Sequence, residues 1–144
     1  MRPDEFMVGD IVRLRVSHHA VRIESIFKDK HTDGYLCHHT FLHDGEKRYN
    51  YSLSMLEPMP LTEEILEKNG FVKMDGDHYR YFLAYDDNYY AGFESMNYYT
   101  GAGFCNVTKE CSDGTQAQSK GVYKHVHQLQ HALRLTGINK EITI

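Results

Sequence analysis

The stretch PLTEEILEKNGF, from Pro60 to Phe71, constrains the fold of this chain more than any other. It carries the start and stop signals of one short helix. Thr62 stands where an N-cap hydroxyl is wanted, and Glu63 and Glu64 follow in the first turn, where carboxylates meet the positive end of the helix dipole. Leu61 and Leu66 have the spacing of a hydrophobic staple. Asn69-Gly70 supplies a left-handed stop, and Phe71 can fold back onto the last turn. A helix fixed at both ends, and entered through the rigid Pro58-Met59-Pro60, splits the chain into two differently patterned halves.

Residues 6–57 read as a run of short strands. Val8-Gly9-Asp10 makes a turn, and Ile11, Val12, Leu14 and Val16 then alternate with Arg13 and Arg15, the pattern of a strand with one wet face. After the polar corner Ser17-His18-His19, Val21, Ile23 and Ser25 share one face and Arg22, Glu24 and Ile26 the other. Asp33-Gly34 and Asp44-Gly45 are turn signals that bracket a strand from Tyr35 to Phe41 and lead into another from Tyr49 to Leu53. Four or five strands in so short a stretch suit a small closed or half-open barrel. The opening Gly9-Asp10-Ile11-Val12 resembles that of SH3-like small barrels, and the resemblance covers about a third of the chain. Residues 1–60 are accordingly expected to form an SH3-like β-barrel subdomain.

Residues 61–144 are expected to form an α-β-β-β-α two-layer unit, which makes the whole chain α+β. Tyr79, Tyr81, Leu83 and Tyr85 alternate with His78, Arg80 and Phe82. Asp86-Asp87-Asn88 turns the chain, Tyr89 to Met96 returns antiparallel, and Tyr98 to Val107 adds a third strand. Lys109 to Gly121 is polar and reads as an exposed loop. A final helix is expected from Val122 to Thr136, with Val122, Val126, Leu129 and Leu133 on one apolar stripe and Gly137 as its stop.

The totals exclude several classes of function. The 144 residues carry a formal net charge of −4, with acidic and basic side chains interspersed, so no phosphate-tracking surface is indicated. No apolar run approaches ~18 residues, and no membrane-spanning helix is expected. Three irregularly spaced cysteines do not make a disulfide framework, and a reducing cytoplasm is the expected location. There is no nucleophile elbow, no cysteine-protease signature and no phosphate loop, and no catalytic residue is assigned.

Two groups of side chains have metal-ligand character. His127 and His131 stand four apart on the final helix, the spacing that lets two imidazoles share a metal. The helical wheel puts both opposite the apolar stripe, together with Leu135, where solvated histidines are the alternative reading. Metalloprotease helices place a Glu after the first His; this chain has Gln128, which cannot act as a base. Cys37, His39 and His43 are the second group: Cys37 and His39 share one strand face and His43 comes from the following turn, so that zinc is the metal they could hold. The paired spacings that make a zinc site specific are absent. Asp86, Asp87 and Glu94 surround a hairpin, yet Glu94-Ser95-Met96 lacks the lysine of metal-dependent nucleases, and turn-forming aspartates explain the pair.

The chain has eleven tyrosines, seven phenylalanines and no tryptophan. Strand alternation sends neighbours such as Tyr89 and Tyr90, or Tyr98 and Tyr99, to opposite sides, so part of this aromatic set must face outward. With few basic residues interleaved, an outward aromatic surface suits a protein partner better than a nucleic acid.

Two segments, LEPMPLTEEILEKNGF (Leu56 to Phe71) and VHQLQHALRLTGINKEI (Val126 to Ile142), resemble a family of small uncharacterised proteins found in gut bacteria and in their prophages and mobile elements. The resemblance covers about a quarter of the chain. It implies an accessory factor that acts on other macromolecules, and it brings no catalytic residue or cofactor with it. The leading expectation is a non-catalytic binding module working through protein–protein contact. A metal-dependent hydrolase using the histidine-rich face and a homo-oligomeric structural protein are the alternatives.

Overall fold

The computed structural model describes residues 5–74, 80–86, 89–95, 104–111, 116–137 and 140–144, with side chains for 5–71, 123–137 and 140–144. The fold is mixed α+β, the described residues forming two five-stranded antiparallel sheets and two helices, and the chain divides into two units, Met1–Met59 and Pro60–Ile144. No helix among the described residues is long and apolar enough to cross a membrane.

The first unit contains β1 (Ile11–Leu14), β2 (Ala20–Lys28), β3 (Tyr35–Phe41), β4 (Lys47–Ser52) and β5 (Leu56–Pro58), with a 3-10 turn at Leu53–Met55 before β5. Their order is β4-β3-β2-β1-β5, and β4 and β5 are both edges, so the ladder is open. Val12 and Leu14 on β1, Val21 and Ile23 on β2, Cys37 and Phe41 on β3, and Leu53 and Leu56 beyond β4 close one apolar core together with Phe6. At ~25 cal/mol per Å² of apolar area, each buried Leu, Ile or Phe contributes ~1.5–3 kcal/mol against the chain entropy lost on folding. Gly9, at φ 92°, lets the chain turn so that its N–H reaches the Ile23 carbonyl at 2.7 Å, while buried Asp10 accepts the Met7 N–H at 2.8 Å. The wet face of β1 is tied across to β5 by Arg13, whose Nε donates to Glu57 at 2.6 Å.

Strict alternation along β2 does not hold. The pairing with β3 shifts between Ile23 and Ser25, so that Ser25 stands opposite His38 and Ile26 opposite Cys37. A bulge adds one residue to one strand and exchanges the faces beyond it. Ile26, expected on the wet face, therefore packs against the core, and the Ser25 position moves to the outer face. β1 also stops at Leu14; Val16 lies in the following turn and is exposed.

The second unit opens with α1 (Glu63–Lys68), whose Thr62 cap accepts the Ile65 N–H at 3.3 Å. Leu61 and Leu66 are both buried, as the staple requires. Gly70 takes φ 86°, and the Phe71 N–H returns to the Leu66 carbonyl at 3.0 Å, the closing bond of a Schellman stop. The sheet that follows has five strands where three were expected: β6 (Val72–Met74), β7 (Arg80–Asp86), β8 (Tyr89–Ser95), β9 (Phe104–Cys111) and β10 (Gln116–Tyr123), in the order β10-β9-β8-β7-β6. The expected loop at Lys109–Gly121 belongs largely to β9 and β10. Backbone ladder bonds define these strands, and a polar sequence is at home on an edge such as β10, where it also discourages pairing with other chains. The expected turns at Asp75-Gly76 and Asp87-Asn88, and the segment 96–103, lie outside the described residues.

The closing helix, α2 (Val126–Leu135), begins four residues later than expected, because Val122 and Tyr123 complete β10. It lies against β9 and β10. Gln128 has a structural use: its Oε1 accepts the N–H groups of His125 at 3.0 Å and Lys124 at 2.8 Å, closing the start of the helix. The C-terminal residues are held by Asn69, which is buried. Its Oδ1 accepts the Thr143 N–H at 2.8 Å, and its Nδ2 donates to the carbonyls of Thr143 and Ile65, both at 2.7 Å.

Candidate functional site

The outer face of the first sheet carries a cavity of about 610 Å³. Its floor follows from the bulge in β2. Phe27 on β2 pairs with Leu36 on β3, so both side chains share the face away from the core, and His38 is two residues further along β3 on the same face. The Phe27 and His38 rings meet edge to face, with centroids 4.9 Å apart, and His38 meets Tyr49 of β4 in the same way at 5.1 Å. Each of three neighbouring strands thus contributes one ring. Tyr49 is 64% exposed.

The wall of the cavity is the end of β2, with Lys28, and the β2–β3 loop, which supplies Asp29, Lys30 and His31. Asp29 shapes this loop. Its carboxylate accepts the His31 N–H at 3.0 Å and the Thr32 hydroxyl at 2.8 Å, while its own N–H donates to the Gly34 carbonyl at 3.0 Å. The hydrogen bond from the His31 backbone, helped by that from Thr32, holds its pKa below the usual 3.8. Asn50 closes the other side from edge strand β4. It sits at φ 54°, in the left-handed region, and its N–H donates to His38 Nδ1 at 3.1 Å. In the neutral ring that bond leaves the proton on Nε2. The cavity is of the size that takes a small ligand or a large side chain.

The sequence candidates distribute differently. Cys37 and His39 point into the core and are fully buried. The Cys37 Sγ lies 3.9 Å from His39 Nδ1, and His39 Nε2 has no hydrogen-bond partner among the described residues. Tyr51 and Phe41 stand edge-on to the His39 ring at 4.9 and 5.5 Å. Burial pushes the Cys37 thiol up to about 11. Burial, with Arg48 adding repulsion, pushes His39 below its ordinary 6.5. Both groups are therefore neutral at pH 7, the reverse of the thiolate–imidazolium pair of a reactive cysteine. His43 is exposed, on the turn after β3, with Nε2 3.2 Å from an Asp44 carboxylate oxygen and its ring 4.9 Å from that of His19.

On α2, His127 is buried rather than solvent-facing. The wheel treats all turns alike, whereas the first turn is covered by the entering chain: His125 stacks on His127 with centroids 5.8 Å apart. His131 is half-buried, 5.6 Å from His127 between ring centroids. Leu135, in the last turn, is 79% exposed. Among the described residues no group of three or more His, Cys, Asp or Glu is arranged to hold a metal ion. Tyr89 and Tyr90 occupy β8, opposite Cys111 and Glu110 of β9, while Tyr98 and Tyr99 lie outside the described residues. Glu94 stands opposite Arg80 on β7 and Cys105 on β9.

The cavity escaped the sequence reading. Its signal was present as apolar residues on two successive strands, Phe27 and Leu36, but simple alternation puts Phe27 with Val21 and Ile23, and the bulge that turns it outward is not visible in the sequence. No protein-family model matches the chain, and no curated protein and no solved structure matches it either.

Proposed function

We propose that this chain is a non-catalytic binding module that acts through protein–protein contact, with an SH3-like small barrel as its first unit. The order β5-β1-β2-β3-β4, the 3-10 turn directly before β5 and the bulged, shared second strand support the barrel reading. The observation that carries the function is the outer-face cavity, where the Phe27 and His38 rings border about 610 Å³ of space, with Tyr49 packed against His38. Rings held by a sheet lose little freedom on binding, which favours them as contact surface. The exposed Leu135 is a second candidate contact point in this reading. The resemblance to proteins of prophages and mobile elements suits an accessory factor in such a setting.

The test is affinity capture of the tagged chain from nuclease-treated host lysate, in parallel with a Phe27→Ala and a Leu135→Ser variant. A stoichiometric protein recovered with the parent and depleted with either variant supports the reading. Equal recovery with all three chains, or no stoichiometric protein at all, refutes it.

A further inference from the structure

Resting on the reading of the first unit as a binding module, we infer that the outer-face cavity takes one aromatic or branched aliphatic side chain of a partner peptide, with carboxylates flanking that anchor. The anchor follows from the floor. Phe27, Leu36 and the His38 ring offer an apolar depression large enough for a Phe, Leu or Ile side chain. The carboxylates follow from the wall. Lys28, Asp29 and Lys30 all border the cavity. The Asp29 carboxylate stays ionised while its oxygens accept the loop's own N–H and hydroxyl donors, so two ammonium groups against one carboxylate leave a surplus of positive charge at this wall.

A peptide backbone has a place as well. Asn50 belongs to β4, an edge strand whose exposed residues from Lys47 to Asn50 border no further strand of the sheet. Edge strands present free backbone donors and acceptors to an extended chain, and the anchor would enter the cavity beside that edge.

A single-stranded nucleic acid fits less well. Stacking rings are present, but residues 27–52 hold four cationic side chains (Lys28, Lys30, Lys47, Arg48) against four acidic ones (Asp29, Asp33, Asp44, Glu46). Arg48 is moreover engaged by Glu46 at 2.8 Å. Among the described residues of the first unit, no basic track leads away from the cavity along which a phosphate backbone could run.

The experiment is selection of a random twelve-residue peptide library on the immobilised full chain, on Phe27→Ala and on Lys28→Glu/Lys30→Glu. Circular dichroism and thermal melting confirm that each variant is folded. The expected result is a consensus of one aromatic or branched aliphatic residue next to Asp or Glu. A synthetic peptide of that consensus should bind about tenfold more weakly to either variant, and replacing its acids by Lys should abolish binding. Enrichment of no consensus, of a consensus without acids, or of one that both variants retain overturns the assignment. So does a labelled fifteen-nucleotide oligo-dT that binds the parent more tightly than the peptide and is lost with Phe27→Ala. A partner captured equally by the parent and Phe27→Ala but depleted with Leu135→Ser would leave the binding-module reading standing and remove only this cavity from it.

Discussion

Replacing Asn69 should release the C-terminal segment of the second unit. Asn69 is 3% exposed and acts as a clasp: its amide donates to the carbonyls of Ile65 and Thr143, and its Oδ1 accepts from the Thr143 N–H at 2.8 Å and the Thr143 hydroxyl at 3.3 Å. A buried neutral hydrogen bond contributes ~0.5–1.5 kcal/mol net. Ile65 O keeps a partner in Asn69→Ala, because the Asn69 N–H also donates to it at 3.1 Å, and exposed Thr143 can turn to water. The loss is then about 2–3 kcal/mol, from the two short bonds to the Thr143 backbone together with the void left by the amide. Release of Thr143 also loosens Ile142, which is 1% exposed and whose burial is worth ~1.5–3 kcal/mol at most. Amide exchange at residues 141–144 should accelerate at least tenfold, alongside a lower urea midpoint. Asn69→Asp separates charge from shape, since it keeps the acceptor for the Thr143 N–H but sets a carboxylate against two carbonyls. That carboxyl should titrate above the usual ~3.9 in the folded state, so this variant should gain stability as pH falls through its raised pKa toward ~4. Unchanged exchange at 141–144 in Asn69→Ala, with a stability loss below ~0.5 kcal/mol, would refute the clasp.

Other expectations concern the first core and the start of α1. His39 has a folded pKa below its ordinary 6.5, so the stability from its neutral form is complete above that value and is lost as pH falls below it. Cys37, Tyr51 and Arg48 are the titratable neighbours on that face, and a His39→Leu chain that still melts should show a flatter melting profile between pH 7 and pH 5. Cys37, with its thiol pushed up to about 11, should alkylate at pH 8 at least ~100-fold more slowly in the native protein than in urea, followed by mass spectrometry of its peptide. Comparable rates in the two states would show that Cys37 is accessible. Thr62→Ala removes the hydroxyl that accepts from Ile65 and should cost ~1 kcal/mol in urea unfolding, with Thr62→Ser and Thr62→Asp recovering most of it.

What was legible in the sequence is what depends on near neighbours. The cap at Thr62, the staple of Leu61 and Leu66 and the stop at Gly70 each involve residues within five positions, and all appear as the spacing predicts. What was not legible depends on a partner strand. The side that Ser25 and Ile26 face is set by the register with β3, and β10 is a strand because β9 offers it a ladder, with no apolar alternation needed. His127 fails for a related reason: a wheel carries no information on what covers the first turn. Gln128, read only as the lack of a catalytic Glu, carries a capping role that the i, i+3 spacing from His125 could have disclosed.

The candidate site depends on the same irregularities that defeated simple alternation. On β3, parity divides the imidazoles into two populations. His39 shares its face with Cys37 and Phe41, is fully buried and is held neutral. His38, one residue away, faces outward with Phe27 and Tyr49 beside it. The bulge at Ile23/Ser25 brings Ile26 onto the core and so leaves Phe27 on the outer face. The register shift at Cys37/His39 accompanies the left-handed Asn50, whose N–H fixes the His38 ring. Regular pairing throughout would have sent Phe27 inward and put Ile26 on the outer face in its place. Two departures from regularity, each costing ladder bonds, converge on one cavity. Packing in the first core explains Ile26 and Cys37; the ring set on the other side of the sheet is what a binding surface needs.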